Sequence, residues 1–386
     1  MKNSRSTTAI LIIHGIGQQL PFETLDSFTA PLWNEMEQAF GKSSHSFFLP
    51  GHHRIAARNK WIQNYISISD VLNNHDLVDV YEYYWAYKTQ RTVDIGDIVD
   101  WLVKTSNGAR KYYKENKELA AQYDGRGVTA FRNNSFKSLW YLKQLGWLMK
   151  ILSFFPGSFT TQIAKRFDWI LMPLNPIFRW IKQSIVDFIG DIVAYTSIDI
   201  NSKFYNVRIS ILEESVAELT AILENPKYDQ VIVAGHSLGS VIAYDTLNRI
   251  NQNMNLKLID PKYAKKIKGF VTFGSPLDKI AFFFREHTPD SQYLRRQILN
   301  NYHSFKARVL YTQPNPKTLT DPFQSFLDHV YWINFWDPKD VVSGHLDFYR
   351  VDLNMPMNFE VPPLKAHMAY WDTPAMYEKI LQQWKI

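Results

Sequence analysis

The chain has 386 residues, of which 46% are hydrophobic and 21% charged, and this allows one large domain or two with ample core. It contains no cysteine, which excludes disulfides, a thiolate nucleophile and a cysteine-based zinc site. The net charge of +6 is modest and spread along the chain. Since no basic cluster or motif accompanies it, we expect no nucleic-acid partner.

The first predicted element is an apolar strand over residues 8–13. Its apolar run is too short for a signal peptide and no small-residue cleavage site follows, so we expect a cytoplasmic protein without a leader. The strand ends in His14-Gly15-Ile16-Gly17. A His-Gly turn at this place is typical of a loop that donates a backbone N–H to an oxyanion, with Ile16 or Gly17 as the donor. The alternative is a glycine-rich turn without chemistry.

The next stretch predicts one helix, one irregular region and one strand. Residues 22–40 predict the helix, because their apolar side chains recur on one face. Residues 41–76 contain proline and glycine and predict irregular structure. Within them, His52 and His53 would diverge on any regular structure and have no acidic or cysteine partner nearby, so we expect no metal site there. Residues 78–86 predict the second strand.

Residues 88–207 are longer than a connection within a compact α/β core needs. We expect a mainly helical cap or lid here, inserted into a core formed by residues 1–87 and 208–386. Its segment 136–190 is rich in Trp, Phe, Lys and Arg, but no uncharged apolar run reaches the length of a membrane span. Two interpretations stay open. The segment is either an amphipathic element at a membrane surface or a cap that packs only on the core.

The most informative stretch is residues 235–239, Gly-His-Ser-Leu-Gly. An amphipathic helix is predicted before it over residues 207–224 and a buried strand over residues 230–234, and helical spacing resumes after it. A G-x-S-x-G turn between a strand and a helix is a nucleophile elbow, which makes Ser237 the candidate nucleophile. The helix start directs the N–H of Leu238 to where an oxyanion would form. The residues expected to support the two turns are His14, Gly15, Gly235, His236 and Gly239.

Five further elements are predicted downstream of the elbow. Residues 268–277 predict a strand and the loop that follows it, and residues 281–305 predict a helical segment. A short strand is predicted over residues 307–312 and a clear strand over residues 330–336. The last helix is predicted over residues 373–385.

A serine hydroxyl becomes a nucleophile only when a base takes its proton and an acid orients that base. On such an elbow the acid follows the serine along the chain, and the histidine follows the acid. Asp340 and Asp337 both lie in a loop after a strand. Asp340 is the preferred acid, because the Lys-Asp-Val-Val context at 339–342 resembles the acid loop of lipases, in which an aliphatic pair follows the Asp. Asp337, which could instead cap the turn, is the alternative, and Asp278 is a third candidate. His367 is the preferred base, since His345 lies too close to the acid in sequence to face both partners.

These pieces together resemble a lipase-type α/β-hydrolase. The segments that carry the resemblance are 13–17, 235–240, 273–277, 340–342 and His367 with Tyr370-Trp371. Residues 191–196 and 235–245 are in addition similar to the intracellular phospholipase A1 group with a DDHD domain. The resemblance implies an α/β-hydrolase fold, with a mostly parallel central sheet flanked by helices. It also implies a serine esterase without a cofactor, acting on an acyl ester of a lipid or phospholipid.

Two other classes of function remain as alternatives. One is a non-catalytic scaffold that binds a lipid or a protein through the cap, although an ordered set of serine, acid and histidine argues against it. The other is an enzyme of different specificity, such as a thioesterase, amidase or acyltransferase, because the fold does not determine the reaction.

Overall fold

The computed structural model describes residues 7–15, 20–40, 46–54, 62–70, 75–89, 205–278, 280, 305–306, 324–340, 342–346 and 349–386. The predicted cap over residues 88–207 lies outside this part of the chain, except at its two ends. The helix predicted over 281–305 and the strand predicted over 307–312 also lie outside it, except for residue 305.

Eight strands of the described part form one sheet. Their bounds are β1 Thr8–Ile13, β2 Ser46–Arg54, β3 Ile62–Asp70, β4 His75–Tyr83, β5 Gln230–His236, β6 Ile267–Phe273, β7 Tyr331–Trp336 and β8 Leu353–Pro356. The order across the sheet is β2-β3-β4-β1-β5-β6-β7-β8. Five of the seven neighbouring pairs are parallel, and the two pairs that involve β3 are antiparallel.

Helices cover both faces of this sheet. Because successive side chains of a strand point to opposite faces, Leu11 and Ile13 join one core, and Ile10 and Ile12 join the other. Helices α2 (Tyr205–Glu224) and α3 (Leu238–Asn255) close the first core, and α1 (Glu23–Phe40) and α5 (Pro374–Trp384) close the second. This mostly parallel sheet between two helical layers, with the G-x-S-x-G turn after β5, matches the α/β-hydrolase fold, so the predicted fold class is confirmed. The helix bounds are α1 Glu23–Phe40, α2 Tyr205–Glu224, α3 Leu238–Asn255, α4 Pro363–Ala366 and α5 Pro374–Trp384, with 3-10 turns at Ala86–Lys88, Pro261–Lys266 and Ala369–Asp372.

The prediction of irregular structure over residues 41–76 is wrong. Strands β2 and β3 form an antiparallel pair there, and β4 already begins at His75. Pro50 lies within β2, which is an edge strand among the described residues, and an edge strand tolerates the missing N–H of a proline. In β3, Ile66 and Ile68 alternate with Ser67 and Ser69, which is the two-residue period of a strand. The following strand was predicted with the correct length but three residues too late, since it spans His75–Tyr83 and not residues 78–86.

The strands and helices around residues 235–239 were predicted correctly. Strand β5 runs directly into the turn, and α3 begins at Leu238. Helices α1, α2 and α5 and strands β1, β6 and β7 lie within a few residues of their predicted bounds. Strand β8 and the single turn α4 were not predicted, because each spans only four residues.

The start of α3 packs against the end of β1 with no room for a side chain. A Cβ atom on Gly239 would collide with the backbone carbonyl oxygens of Ile13 and His14. A Cβ on Gly235 would lie 2.6 Å from the carbonyl oxygen of Gly239 and 2.6 Å from Cα of Ser240. These backbone contacts fix where the turn at residue 237 stands relative to the sheet.

We expect Gly239→Ala to lower the free energy of unfolding by about 3 kcal/mol or more, because backbone rather than a flexible side chain must move. Urea denaturation followed by circular dichroism measures the change. Gly344→Ala is the matched control, since a Cβ there meets nothing within 4 Å. It should change the free energy of unfolding by no more than about 0.5 kcal/mol. Equal stability of the two variants would contradict this packing.

Candidate active site

The polar residues singled out in the sequence meet at one edge of the sheet. Parallel strands end at the same edge of a sheet. Strands β1, β5, β6 and β7 lie side by side, and each is parallel to the next. His14 follows the end of β1, Ser237 the end of β5, Gly274 the end of β6 and Asp337 the end of β7. The topology therefore brings side chains from distant parts of the sequence to one place.

Ser237 has a strained backbone between β5 and α3. Its φ is 52° and its ψ is −128°, a region that residues other than glycine rarely adopt. The N–H of Ser237 donates to the carbonyl of Phe273 at 3.0 Å, and the hydroxyl of Ser240 donates to the carbonyl of Ser237 at 2.5 Å. The surrounding hydrogen bonds thus hold the strained turn, with the serine side chain at the sheet edge and only 1% of the residue exposed.

Ser237, His367 and Asp340 form a continuous hydrogen-bonded series. Nε2 of His367 lies 3.0 Å from Oγ of Ser237, and Nδ1 lies 2.9 Å from Oδ2 of Asp340. A carboxylate only accepts hydrogen bonds, so Nδ1 carries the imidazole proton and Nε2 is left to accept from the serine hydroxyl. The side chain of Asp340 is fully buried, whereas that of His367 is 16% exposed.

Asp340 has further hydrogen-bond donors besides the histidine. The N–H of Val342 donates to Oδ1 at 2.8 Å, and the hydroxyl of Tyr370 donates to Oδ2 at 3.1 Å. Because each oxygen of the buried carboxylate is satisfied, its negative charge is stabilised without solvent.

The alternative acids and base have other surroundings. Asp337 accepts the N–H of Lys339 at 2.7 Å and the N–H of Phe359 at 2.6 Å, so its carboxylate caps the turn. Asp278 is buried beyond the end of β6. The His345 ring packs edge-on against Trp336, with the ring centroids 5.5 Å apart. The structure brings Asp340, and not Asp337, against His367.

His236 lies beneath His367 and supports it. Its Nε2–H donates to the backbone carbonyl of His367 at 3.0 Å, and the two ring centroids are 4.8 Å apart. Burial, with a smaller effect from the neighbouring His367, lowers the pKa of His236 to about 3. Gly274 leaves space for both rings, since a Cβ there would lie 3.1 Å from each and its φ is +62°. His236 is therefore a neutral hydrogen-bond donor in the folded protein.

His14 is buried at the end of β1 and is held by Trp85. The Trp85 N–H donates to Nε2 of His14 at 3.0 Å, and the indole N–H donates to the His14 carbonyl at 3.0 Å. Nδ1–H of His14 then donates to the Gly15 carbonyl at 2.6 Å. Burial lowers the pKa of His14 to about 4. These contacts fix the chain just before the predicted oxyanion loop.

The predicted oxyanion donors fall partly outside the described residues. Leu238 is the first residue of α3 and follows the serine directly. Ile16 and Gly17 lie outside the described part of the chain. Gly15, which precedes them, approaches the serine so closely that a Cβ on it would lie 2.8 Å from Cβ of Ser237.

His52 and His53 are neighbours on β2, and their backbones pair with Asn64 and Gln63 of β3. Within the described ranges, no group of three or more His, Asp or Glu side chains is arranged to hold a metal ion.

Three residues around this site were not predicted to have a role in it. Trp85 holds His14, Gly274 leaves space for two histidines, and Tyr370 contacts the acid. Gly274 and Tyr370 stood in segments that carried the family resemblance, but their contacts come from distant parts of the chain. No signal in the sequence pointed to Trp85.

Comparison with known families agrees with the fold. Residues 168–295 match the family described as Lipase (class 3). The match covers about a third of the chain and includes α2, β5, the turn at Ser237, α3 and β6. It supports a lipase-like, ester-hydrolysing serine hydrolase, and it does not confirm the DDHD subgroup. A search of curated proteins found no match. None of the helices in the described segments is long and apolar enough to cross a bilayer.

The buried histidines make stability depend on pH. In the unfolded chain each takes up a proton near its ordinary pKa of 6.5, whereas His14 stays neutral in the folded protein down to about pH 4. The free energy of unfolding should therefore fall as the pH drops below 6.5, by about 1.4 kcal/mol per pH unit for each such histidine. We expect His14→Gln to remove about one such contribution between pH 6 and pH 5. Urea titrations at both pH values measure it, and an unchanged slope would contradict the neutral buried state.

Glu82 should have the opposite effect on how the free energy of unfolding depends on pH. Burial raises its pKa to about 7, although the N–H of Phe22 donates to it at 2.7 Å. Its folded form keeps a proton that the unfolded chain loses above its ordinary pKa of 4.5, so it favours the folded state at low pH and less so as the pH rises towards 7. Glu82→Gln should therefore make the free energy of unfolding fall more steeply as the pH drops below about 7.

Proposed function

We propose that this protein is a serine hydrolase that cleaves carboxylic ester bonds, with Ser237 as nucleophile, His367 as general base and acid, and Asp340 as the residue that orients the histidine. The hydrogen-bonded series from Ser237 through His367 to Asp340 is the observation that supports this most directly. Its geometry matches what an activated serine requires, and the match to class 3 lipases agrees with it.

In the acylation half, Oγ of Ser237 attacks the ester carbonyl carbon while its proton passes to Nε2 of His367. The carbonyl oxygen becomes an oxyanion, which the N–H of Leu238 and the N–H of Ile16 or Gly17 would stabilise. The positive imidazolium is stabilised by the buried carboxylate of Asp340. The carbon–oxygen bond to the alcohol then breaks, and Nε2–H gives its proton to the leaving alkoxide.

In the deacylation half, water replaces the alcohol. His367 takes a proton from the water as its oxygen attacks the acyl carbon, and a second oxyanion forms at the same donors. Collapse of that intermediate breaks the bond to Oγ of Ser237, which recovers its proton from the imidazolium. The products are a carboxylic acid and the alcohol, and no cofactor takes part.

We further propose a lipid or phospholipid as the substrate. The class 3 lipase match supports a lipid ester, and the aromatic and basic composition of residues 136–190 supports contact with a membrane surface. In this proposal residues 88–207 form a cap inserted into the core, and the protein acts from the cytoplasm on the membrane periphery.

Labelling with a fluorophosphonate probe tests the nucleophile. The wild-type protein should be labelled, and Ser237→Ala should not, because only an activated serine attacks phosphorus at a useful rate. Ser325→Ala, which removes an exposed serine, is the matched control and should be labelled like the wild type. Thermal unfolding checks that each variant is folded. Equal labelling of Ser237→Ala and the wild type would overturn the proposal, whereas a folded wild type that stays unlabelled even with vesicles present would favour a non-catalytic scaffold.

A comparison of soluble and vesicle-bound substrates tests the membrane contact. We expect the double variant Trp147→Ser with Phe154→Ser to weaken binding to anionic phospholipid vesicles by about a hundredfold, since each lost apolar side chain costs about 1.5 kcal/mol. Hydrolysis of a short soluble ester should not change. Leu258→Ser, which alters an exposed side chain beyond the end of α3, should affect neither measurement. A double variant that binds vesicles like the wild type would contradict the contact.

A further inference from the structure

Tyr370 contacts the acid at the oxygen that faces the histidine. Its hydroxyl lies 3.1 Å from Oδ2 of Asp340, and the same oxygen lies 2.9 Å from Nδ1 of His367. Because an ionised carboxylate has no proton to give, the tyrosine is the donor. Burial, with a smaller effect from the negative charge of Asp340, raises the pKa of Tyr370 above its ordinary value, so the hydroxyl keeps its proton.

We propose that Tyr370 is a positioning residue for the proposed reaction, which holds Asp340 and limits how strongly that carboxylate attracts the proton of His367. The inference rests on the proposed function, because it assigns Asp340 as the partner of the base.

The position of Tyr370 in the chain couples it to the base. It follows His367 by three residues, in the 3-10 turn Ala369–Asp372 that α4 leads into. The tyrosine is fully buried, and its ring packs edge-on against Phe359 with centroids 4.9 Å apart. One short segment therefore presents both the imidazole and the phenol to the same oxygen, and a shift of that segment would move both.

A second contact ties the tyrosine to the acid loop. Its hydroxyl also lies 3.1 Å from Oγ of Ser343, and this serine in turn donates to the carbonyl of Asp337 at 3.3 Å. Two other ionisable groups lie around Tyr370 and Asp340. They are His236, beneath His367, and Asp337, whose carboxylate accepts two backbone N–H groups. Neither of them supplies the donor that Tyr370 supplies to Oδ2.

The phenol has a definite effect on the chemistry. A carboxylate with fewer donors is more basic, so removal of the hydroxyl would leave Asp340 holding the imidazolium more tightly. The base would then stay protonated to a higher pH, and the imidazolium would release its proton to the leaving alcohol less readily. The carboxylate would also be less firmly oriented.

Tyr370→Phe tests the proposal, with Tyr377→Phe as the matched control. Tyr377 is likewise fully buried on the neighbouring helix, and its hydroxyl donates to the Trp371 carbonyl at 2.9 Å, away from the acid. For Tyr370→Phe we expect kcat to fall about tenfold with KM within about twofold. The acid limb of the kcat/KM profile should move to higher pH by about half a unit. Tyr377→Phe should change the thermal unfolding temperature and leave the acid limb in place.

A spectroscopic measurement separates this inference from the proposed function. We expect the proton between Nδ1 of His367 and Asp340 to give a far-downfield proton resonance, which Asp340→Asn should abolish. We expect Tyr370→Phe to shift this resonance and Tyr377→Phe to leave it unchanged. If the resonance shifts but neither the wild type nor any variant hydrolyses esters, the proposed function fails, whereas the effect of Tyr370 on the bond between Asp340 and His367 is supported.

Ser343→Ala is the second variant, because it disturbs the acid loop and leaves the bond between Tyr370 and Asp340 in place. It should keep the acid limb at the wild-type position. An upward move in Ser343→Ala equal to that in Tyr370→Phe would assign the effect to the loop packing and overturn the role of the phenol. An unchanged resonance and an unchanged acid limb in Tyr370→Phe would overturn it as well.

Discussion

The close approach of α3 to the end of β1 is the constraint on which the candidate site depends. Backbone meets backbone at Gly239, so the chain between β5 and α3 must turn within one residue. That residue is Ser237, and the turn gives it a strained backbone with a φ of 52°. The strain is balanced by hydrogen bonds from Ser237 to Phe273 and from Ser240 to Ser237. A serine in this place has its side chain at the sheet edge and the N-terminus of a helix directly behind it.

Three histidines lie at this edge, and their surroundings divide them into two kinds. His14 and His236 are fully buried, are held neutral by burial, and hydrogen-bond to backbone groups of Trp85, Gly15 and His367. His367 is the one of the three that is partly exposed and that contacts both a hydroxyl and a carboxylate. Two neutral histidines thus serve as rigid supports, and the proposed mechanism assigns the exchange of protons to the third. If His14 took up a proton, its Nε2 could no longer accept the N–H of Trp85.

Much of the fold could be predicted from the sequence because its signals are local. The apolar run of β5, the glycines of the turn and the helical spacing of α3 adjoin one another, and the fold class that they predict is confirmed. The edge strand β2 could not be predicted, since tolerance of Pro50 depends on its place in the sheet. Asp340 could be preferred over Asp337 from its local context, but the cap that Asp337 forms could not be predicted, because Phe359, which donates to it, is distant in sequence. The structure brings Ser237, His367 and Asp340 together, and their catalytic roles stay a prediction.

Trapping of the covalent intermediate tests the proposed mechanism most directly. The protein would be mixed with a slowly hydrolysed ester, quenched in acid at successive times and digested for mass spectrometry. We expect the peptide that contains Ser237 to gain the mass of the acyl group at least as fast as the free acid is released. Steady release of the acid with the Ser237 peptide unmodified at every time point, or with the acyl group on another residue, would contradict a mechanism that depends on this serine.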